Sequence, residues 1–432
     1  MRPDAPANRR AATTLEVDTM TRNLPRTDTR AAERSVVIIG AGYAGVMAAN
    51  RLRSSLTNEE AEQIRILVIN PLGSFVERIR LHQVAAGTTR TASIPLSDVL
   101  HSDVRLLEGI TVLIDPGSQV ITVETAVGRL TLHYDFLVYT VGSLASNSVP
   151  GVSTYAHTIA DAGGALRAQA AIKNARPGMR IIMVGGGYTS IEAASEIAEQ
   201  HPDAVITLLC GGELAESMTP RARASVRKSL ERLNIIVRSG VRVMSVTQQG
   251  MVTDSGELII GDVCIWAASF AVPKLAKDSG LATDSSGRLK VDACLRAWNH
   301  PNIIGAGDAA VMPRTAGGHL RMGCAAALPM GSSAARTVLA QLRGVEPEPA
   351  SIGYALQCLS LGRLDSFIQV VGPDDSPRKL WARGRTGAWM KEAICRMTVR
   401  ALQEERIRPG AYKAPKGPRI PPRMDISAPA GP

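Results

Sequence analysis

The sequence predicts an α/β protein of two Rossmann-like dinucleotide-binding domains, the second inserted in the first, with a smaller C-terminal region. Three observations carry this prediction. An apolar strand, a glycine-rich turn and a helix follow one another twice, around residues 40–45 and 185–190. Each unit is trailed by short alternating strands, around 111–133 and 241–260, and by a closing apolar strand. A third strand ends in Gly-x-Gly-Asp at 305–308, beyond both units. Strand–helix–strand units of this kind bury their apolar strands in a parallel sheet, and two of them imply two nucleotides.

In chain order, residues 1–34 are polar and rich in Arg and Thr and predict a disordered leader. The first domain is expected over 35–150 and again over 286–345. It starts with the strand Ser35–Ile39, a helix near 44–55 and a second strand at 64–69. The second domain is expected over 151–285, with strands at 180–184 and 205–209 and a helix near 189–199. Residues 346–408 read as a helix-containing C-terminal region. The prolines from Pro409 onward predict a disordered tail over 409–432.

Gly40-Ala41-Gly42-Tyr43-Ala44-Gly45 follows directly on a buried strand and opens a helix. Here Gly40 would make the tight turn, Gly42 would let backbone approach a pyrophosphate, and Gly45 would let helix and strand pack closely. The amino-terminal N–H groups of the helix, at Tyr43 and Ala44, would then hold the phosphates. At the end of the second strand, where an acid bonds the ribose, stands Asn70, which can accept a hydroxyl without charge.

The second turn is Gly185-Gly186-Gly187-Tyr188-Thr189-Ser190-Ile191-Glu192, with Ser190 at the third glycine position. Its selecting acid is also absent, because Cys210-Gly211-Gly212-Glu213 stands there. Arg221 and Arg223 follow, either of which offers charge to the extra phosphate of NADPH. The choice between NADH and NADPH stays open, with a slight lean to NADH. In the third motif, Gly307 and Asp308 stand where a strand-end Asp can bond a flavin's ribityl chain.

These three motifs together resemble the two-dinucleotide-domain FAD/NAD(P) oxidoreductases, within them type II NADH dehydrogenases and apoptosis-inducing-factor-like flavoproteins. The resemblance covers about residues 35–345. It implies FAD in the first domain, NAD(P)H in the second, and Asp308 as the FAD-contacting acid. Asp135–Ser143, with Gly142, is similar to the family's second flavin-domain motif, although Thr140-Val141-Gly142 departs from its usual Ala-Thr-Gly. The segment 75–87 falls where the family places residues beside the isoalloxazine ring. Arg80 and His82 are therefore the catalytic candidates there, stabilising negative charge or orienting an acceptor, unless they belong to an ordinary charged surface helix. Glu192 matches a family Glu near the reacting rings, assisting proton movement or only orienting the nicotinamide.

The resemblance also implies a quinone or another small electron acceptor. That half is weakened, because Ala325 and Pro329 stand where type II enzymes present two glutamines. Two alternatives stay open: a reductase for a protein electron carrier or a redox-tailoring flavoprotein, and a non-enzymatic FAD/NAD(P)-binding sensor with degenerate sites.

Composition narrows the partners. The six cysteines, at 210, 264, 294, 324, 358 and 395, contain no close pair, so neither a redox-active disulfide nor a metal site is expected. The formal charge is +10, and residues 363–432 hold fourteen basic side chains against seven acidic ones. Around 386–405 Trp389, Met390, Ala393, Ile394, Met397 and Ala401 recur at helical spacing, with Arg385, Lys391, Arg396 and Arg400 assigned to the polar side. Such a helix would pack on the flavin domain, form a dimer interface, or lie on an anionic membrane. No nucleic-acid partner is expected. Without a secretory signal or a run of about 18 apolar residues, the expected location is cytoplasmic, with peripheral membrane contact as the alternative.

Overall fold

In a computed structural model that describes residues 34–418, both glycine-rich turns lie at the carboxyl edges of parallel sheets. The expected leader, apart from Arg34, and the tail beyond residue 418 lie outside the described residues. The first sheet contains β1 (Arg34–Ile39), β2 (Ile64–Asn70), β3 (Arg105–Glu108) and β4 (Phe136–Tyr139). The second contains β5 (Arg180–Val184), β6 (Val205–Cys210), β7 (Ile236–Ser239) and β8 (Val263–Trp266). The chain then returns to the first sheet as β9 (His300–Gly305), which lies parallel to β4.

Spatially the first sheet reads β3-β2-β1-β4-β9, edged by the antiparallel pair of residues 296–297. The second reads β7-β6-β5-β8, edged by residues 157–158. This shared order, reversing beside β1 and β5, leaves a crevice above each central strand. The central strands are apolar throughout because both faces are covered: Val36 to Ile39 and Ile181 to Val184 are all buried, with Ile181 and Met183 packed against helices and Ile182 and Val184 against Val243, Val246 and Met251 of the 243–260 stretch.

Helix α1 (Tyr43–Ser55) follows the first turn and α2 (Tyr188–Gln200) the second. Helix α3 (Cys324–Leu342) lies so close to α1 that a Cβ on Gly331 would stand 2.2 Å from the Ala44 carbonyl oxygen. The alternating stretches at 110–133 and 243–260 form separate three-stranded antiparallel sheets.

The C-terminal region holds more than the expected helix. Strands β10 (Leu356–Ser360), β11 (Ser366–Val371) and β12 (Pro377–Arg383) form an antiparallel sheet, and α4 (Gly384–Ile407) follows it. The strands escaped the pattern reading because β11 is buried along nearly its whole length and β12 exposed along nearly its whole length, so neither alternates. Helix α4 runs back over α1. Its buried Glu405 pairs with Arg51, and Asn50 donates to the Leu402 carbonyl at 2.9 Å. Among the described residues no helix is long and apolar enough to cross a membrane.

The expectation of disorder from Pro409 needs correction over 409–418. The Gly410 and Tyr412 amides donate to Glu405 at 2.7 and 2.8 Å, Gly353 donates to the Pro415 carbonyl, and Gly417 donates to Ser351. Proline removes a donor, but its carbonyl still accepts, and the buried Glu405 carboxylate needs these amides as partners.

Candidate active site

The two glycine-rich turns face a single cavity of about 830 Å³. Its first wall is the β1–α1 turn. Gly40 has φ +98°, and a Cβ there would stand 2.4 Å from the Thr140 carbonyl oxygen; a Cβ on Gly45 would stand 1.9 Å from that of Gly40. Only glycine fits either place. A Cβ on Gly42 would meet nothing within 4 Å, so the backbone there is open to a ligand. The departure at Thr140 has a structural use: its hydroxyl lies 2.8 Å from the Ile39 carbonyl and 3.0 Å from that of Gly40, bracing the turn.

Three helices begin at this cavity without a side-chain cap. Gly42 precedes α1, Gly187 precedes α2 and Gly323 precedes α3, and none supplies a capping acceptor. Residues of all three first turns line the space: Tyr43 and Ala44, Tyr188 and Thr189, Cys324 and Ala325. Free amide donors and aligned peptide dipoles make each such terminus favourable for an anion, and a dinucleotide brings two phosphates. The residues present therefore fit FAD at the first turn and NAD(P)H at the second.

Asp308 joins two of these walls. One carboxylate oxygen accepts from Ser143 Oγ at 2.7 Å and the other from the Gly323 amide at 2.8 Å. Arg78, two residues before Arg80, donates to the Ser143 carbonyl at 2.9 Å and lies over the Phe270 ring. Asp308, Gly307, Gly142 and Arg78 all line the cavity.

Other expected positions are placed differently. Gly187, like Gly42, is exposed and a Cβ there would meet nothing within 4 Å, whereas Gly40, Gly45 and Gly185 shape the turns from behind the cavity wall. Asn70 also stands behind it: its Oδ1 accepts from the Ala41 amide at 2.9 Å and its Nδ2 donates to the Leu72 carbonyl. Arg80 does not line the cavity. Its guanidinium makes two 3.1 Å bonds to Glu392 of α4 and one to Glu77. It is a strut holding α4, whereas Arg78 lines the cavity, as do Arg321 and Arg400. Arg80→Ala is expected to leave the rate of flavin reduction within about twofold and to cost about 1 kcal/mol of stability, as for a partly exposed pair; stopped-flow and urea unfolding check both values.

At the second turn Ser190 replaces a glycine without displacing the helix. Its hydroxyl lies 2.7 Å from the Gly185 carbonyl and 2.8 Å from that of Gly187, so the added bulk is turned into a brace. Tyr188 donates to Gln357 of β10 at 2.6 Å. Cys210 is buried, and its sulfur would lie 3.4 Å from a Cβ on Gly186. It ends β6, where the sequence pattern expects a ribose-selecting acid, and burial pushes its thiol up to about 11, leaving it neutral. Its cross-strand neighbour Ser239 accepts a long bond from Arg227. Cys210→Glu is expected to raise the NADH over NADPH ratio of kcat/KM by about tenfold, the scale of one charge contact; an unchanged ratio would place selection elsewhere.

Glu192 and His82 line the cavity together with a residue the pattern reading assigned to the polar side of α4. Lys391 Nζ donates to Glu192 Oε1 at 2.8 Å, and the Ser360 amide donates to the same oxygen at 3.0 Å. Burial alone would lift the Glu192 carboxyl, but Lys391 and His82 beside it hold it below the ordinary carboxylate range. Burial alone would lower Lys391, and Glu192 keeps its ammonium charged instead. The imidazole stands between two carboxylates of α2, with Nδ1 3.8 Å from Glu192 and Nε2 3.4 Å from Glu196.

Three cysteines, Cys324, Cys358 and Cys395, also line the cavity. All six cysteines are free, and burial raises the Cys358 and Cys395 thiols to about 11. They are neutral, poorly nucleophilic surfaces at ordinary pH.

The family model described as pyridine nucleotide-disulphide oxidoreductase matches residues 34–328. The chain belongs to this family. An NADH dehydrogenase-like protein of Mycobacterium tuberculosis is 27% identical over 387 residues, covering 83% of this chain and 92% of its relative. A type II NADH:quinone oxidoreductase of the same organism is 26% identical over 323 residues, covering 65% and 67%. Among solved structures, the sulfide:quinone oxidoreductase of Aquifex aeolicus superposes with a TM-score of 0.73 at 18% identity, covering 87% of this chain and 92% of the other. The chain is thus an oxidoreductase of two dinucleotide-binding domains with FAD and NAD(P)H as cofactors. The disulphide of the family's description has no counterpart among the described residues.

Proposed function

We propose that the chain oxidises NAD(P)H and passes the electrons to a quinone or another small acceptor without a redox disulfide. The observation that carries this reading is the single cavity on which both glycine-rich turns and Asp308 converge. Gly42 to Ala44 would receive the FAD pyrophosphate, and Asp308 would accept from the ribityl chain. Tyr188 and Thr189 would hold the nicotinamide nucleotide. Bound FAD supplies a ring system that takes two electrons and returns them singly or in pairs. The protein contributes alignment and exclusion of water, which is what hydride transfer between two stacked rings needs.

The apolar Ala325, Leu328, Ile394 and Ala401, from α3 and α4, also line this cavity. With Ala325 and Pro329 in place of the two glutamines, an acceptor would be held by apolar contact and shape there. The name of the quinone-reducing relative supports a planar apolar acceptor. Anaerobic protein bleached with one equivalent of NADH or NADPH, then mixed with a short-chain quinone, is expected to recover its flavin colour at least ten times faster than with dioxygen. Recovery by a small iron–sulfur carrier but by no quinone would transfer the reading to a protein electron carrier.

A peripheral membrane contact is a second reading, favoured by the outer face of α4. Trp389 is 74% exposed and Ile407 77%, next to the exposed Arg396 and Arg400. Apolar anchors beside basic groups suit an anionic lipid surface. Co-sedimentation with vesicles of anionic lipid is expected for the full chain and is expected to drop at least fivefold for Trp389→Glu, with no binding to neutral vesicles. Equal sedimentation of variant and parent would remove this surface.

A further inference from the structure

We propose that α2 carries a proton relay joining the cavity to a separate surface pocket, running from Glu192 through His82 and Glu196 to Glu199. This inference rests on the reading of the cavity as the site where an acceptor is reduced. The overall reaction NAD(P)H + H⁺ + A → NAD(P)⁺ + AH₂ balances only if the acceptor A receives two electrons and two protons. One proton arrives with the hydride of the nicotinamide, so the other must come from solvent. Residues of α4 and the C-terminal sheet line one part of the cavity, and buried side chains beside them offer that proton a route.

The three carboxylates recur at i, i+4 and i+7, so they lie along one face of α2. Glu192 opens on the cavity, Glu196 is 1% exposed, and Glu199 reaches a second pocket of about 300 Å³ with Ser229, Arg232 and Asp365. His82 bridges the first two and is itself 3% exposed. Its Nε2 makes no well-formed hydrogen bond in the resting geometry, although Glu196 is within 3.4 Å. An imidazole accepts a proton at one nitrogen and releases one from the other, which is what a bridge between two carboxylates requires.

The charges around the stripe are graded. Lys391 of α4 faces Glu192, whereas Glu196 faces Thr88 and the Arg363 guanidinium at 3.5 Å. Glu199 accepts from the Arg363 amide at 2.6 Å. Burial works to raise Glu196, but His82, Thr88 and Arg363 hold its carboxyl low; burial, Glu196 and Asp365 hold the Glu199 carboxyl high. Glu199, whose carboxyl is held high, collects a proton at the surface; its passage inward through the lower carboxylates is uphill and transient, drawn to completion only as the reduced acceptor takes the proton.

The competing account is a buried charge network that only fastens the C-terminal sheet to α2. The full-length FAD-loaded protein with Glu196→Gln, a near-isosteric change, separates the two. Bleaching by NAD(P)H is expected to stay within about twofold. Recovery with a short-chain quinone is expected to fall at least tenfold, with a larger solvent deuterium effect. Proton uptake from a lightly buffered solution, followed with an indicator dye, is expected to lag by the same factor. Glu199→Gln, at the exposed end, is the fallback if Glu196→Gln does not fold, and His82→Ala is expected to regain its quinone rate when imidazole is added. Unchanged quinone rate, isotope effect and proton uptake in the carboxylate variants would overturn the relay, as would a His82→Ala loss that imidazole does not restore. Absence of bleaching in the parent protein would overturn the functional reading itself, a distinguishable result.

Discussion

Gly42→Ala and Gly45→Val, three residues apart, are expected to fail in different ways. A methyl on Gly42 meets nothing within 4 Å, so the chain should fold with a stability within about 0.5 kcal/mol of the parent. It should nevertheless retain little FAD on purification, because the methyl occupies the line of approach of a pyrophosphate. A valine at Gly45 starts from a Cβ only 1.9 Å from the Gly40 carbonyl oxygen, and α1 must move. That variant should lose about 1–3 kcal/mol of stability and its flavin as well. Flavin absorbance per mole of protein and urea unfolding read the two effects separately. A Gly42→Ala protein with its full complement of FAD would show that the cofactor lies elsewhere.

Replacing Lys391 with Met should have the largest effect on stability. The ammonium is the cation facing the buried Glu192 carboxylate, and breaking such a pair from one side costs about 3–5 kcal/mol. The pH dependence has a definite sign. In the parent, the Glu192 carboxyl is held below its ordinary value of 4.5, so its contribution is present above that pH and is lost as pH falls through the lowered value. Without Lys391, burial prevails and the carboxyl rises above its unfolded value. Its contribution is then present in acid and is lost as pH rises through the raised value. The deficit of Lys391→Met should therefore be larger at pH 8 than at pH 4.5, measured by urea unfolding at both. An equal deficit would mean that Glu192 is not ionised against Lys391.

The parallel sheets and the two turns were legible because they rest on local backbone rules. A buried strand, a glycine at positive φ and a helix start lie within a dozen residues, and no distant partner is needed to recognise them. The charged centre was not legible in the same way. His82, Glu192 and Lys391 come from three elements separated by more than a hundred residues at each step, and only the fold, in which α2 and α4 both pack on β10, brings them together. Helical period assigned Lys391 to the polar side correctly as chemistry. It could not say that this part of the polar side turns inward.

The choice between Arg78 and Arg80 illustrates a finer limit. The two sit in one 3-10 turn of three residues, where each residue advances about 120°, so they point in different directions. Sequence placed arginine charge near the site but not which arginine. The tail over 409–418 failed for another reason, since its order depends on the buried Glu405 demanding amide donors from it. Cys210 and Ser190, read from sequence as losses at the second turn, are accommodated there by a buried thiol and a braced hydroxyl.

The central step of the proposed reaction is delivery of electrons from a nicotinamide nucleotide to FAD inside the cavity shared by both turns. Anaerobic stopped-flow mixing of the FAD-loaded protein with NADH, and separately with NADPH, tests it most directly. At least one of them is expected to bleach the flavin absorbance fully within a single turnover, and Glu196→Gln is expected to bleach at nearly the parent rate. A protein that holds FAD and keeps its colour with both nucleotides in excess would contradict it.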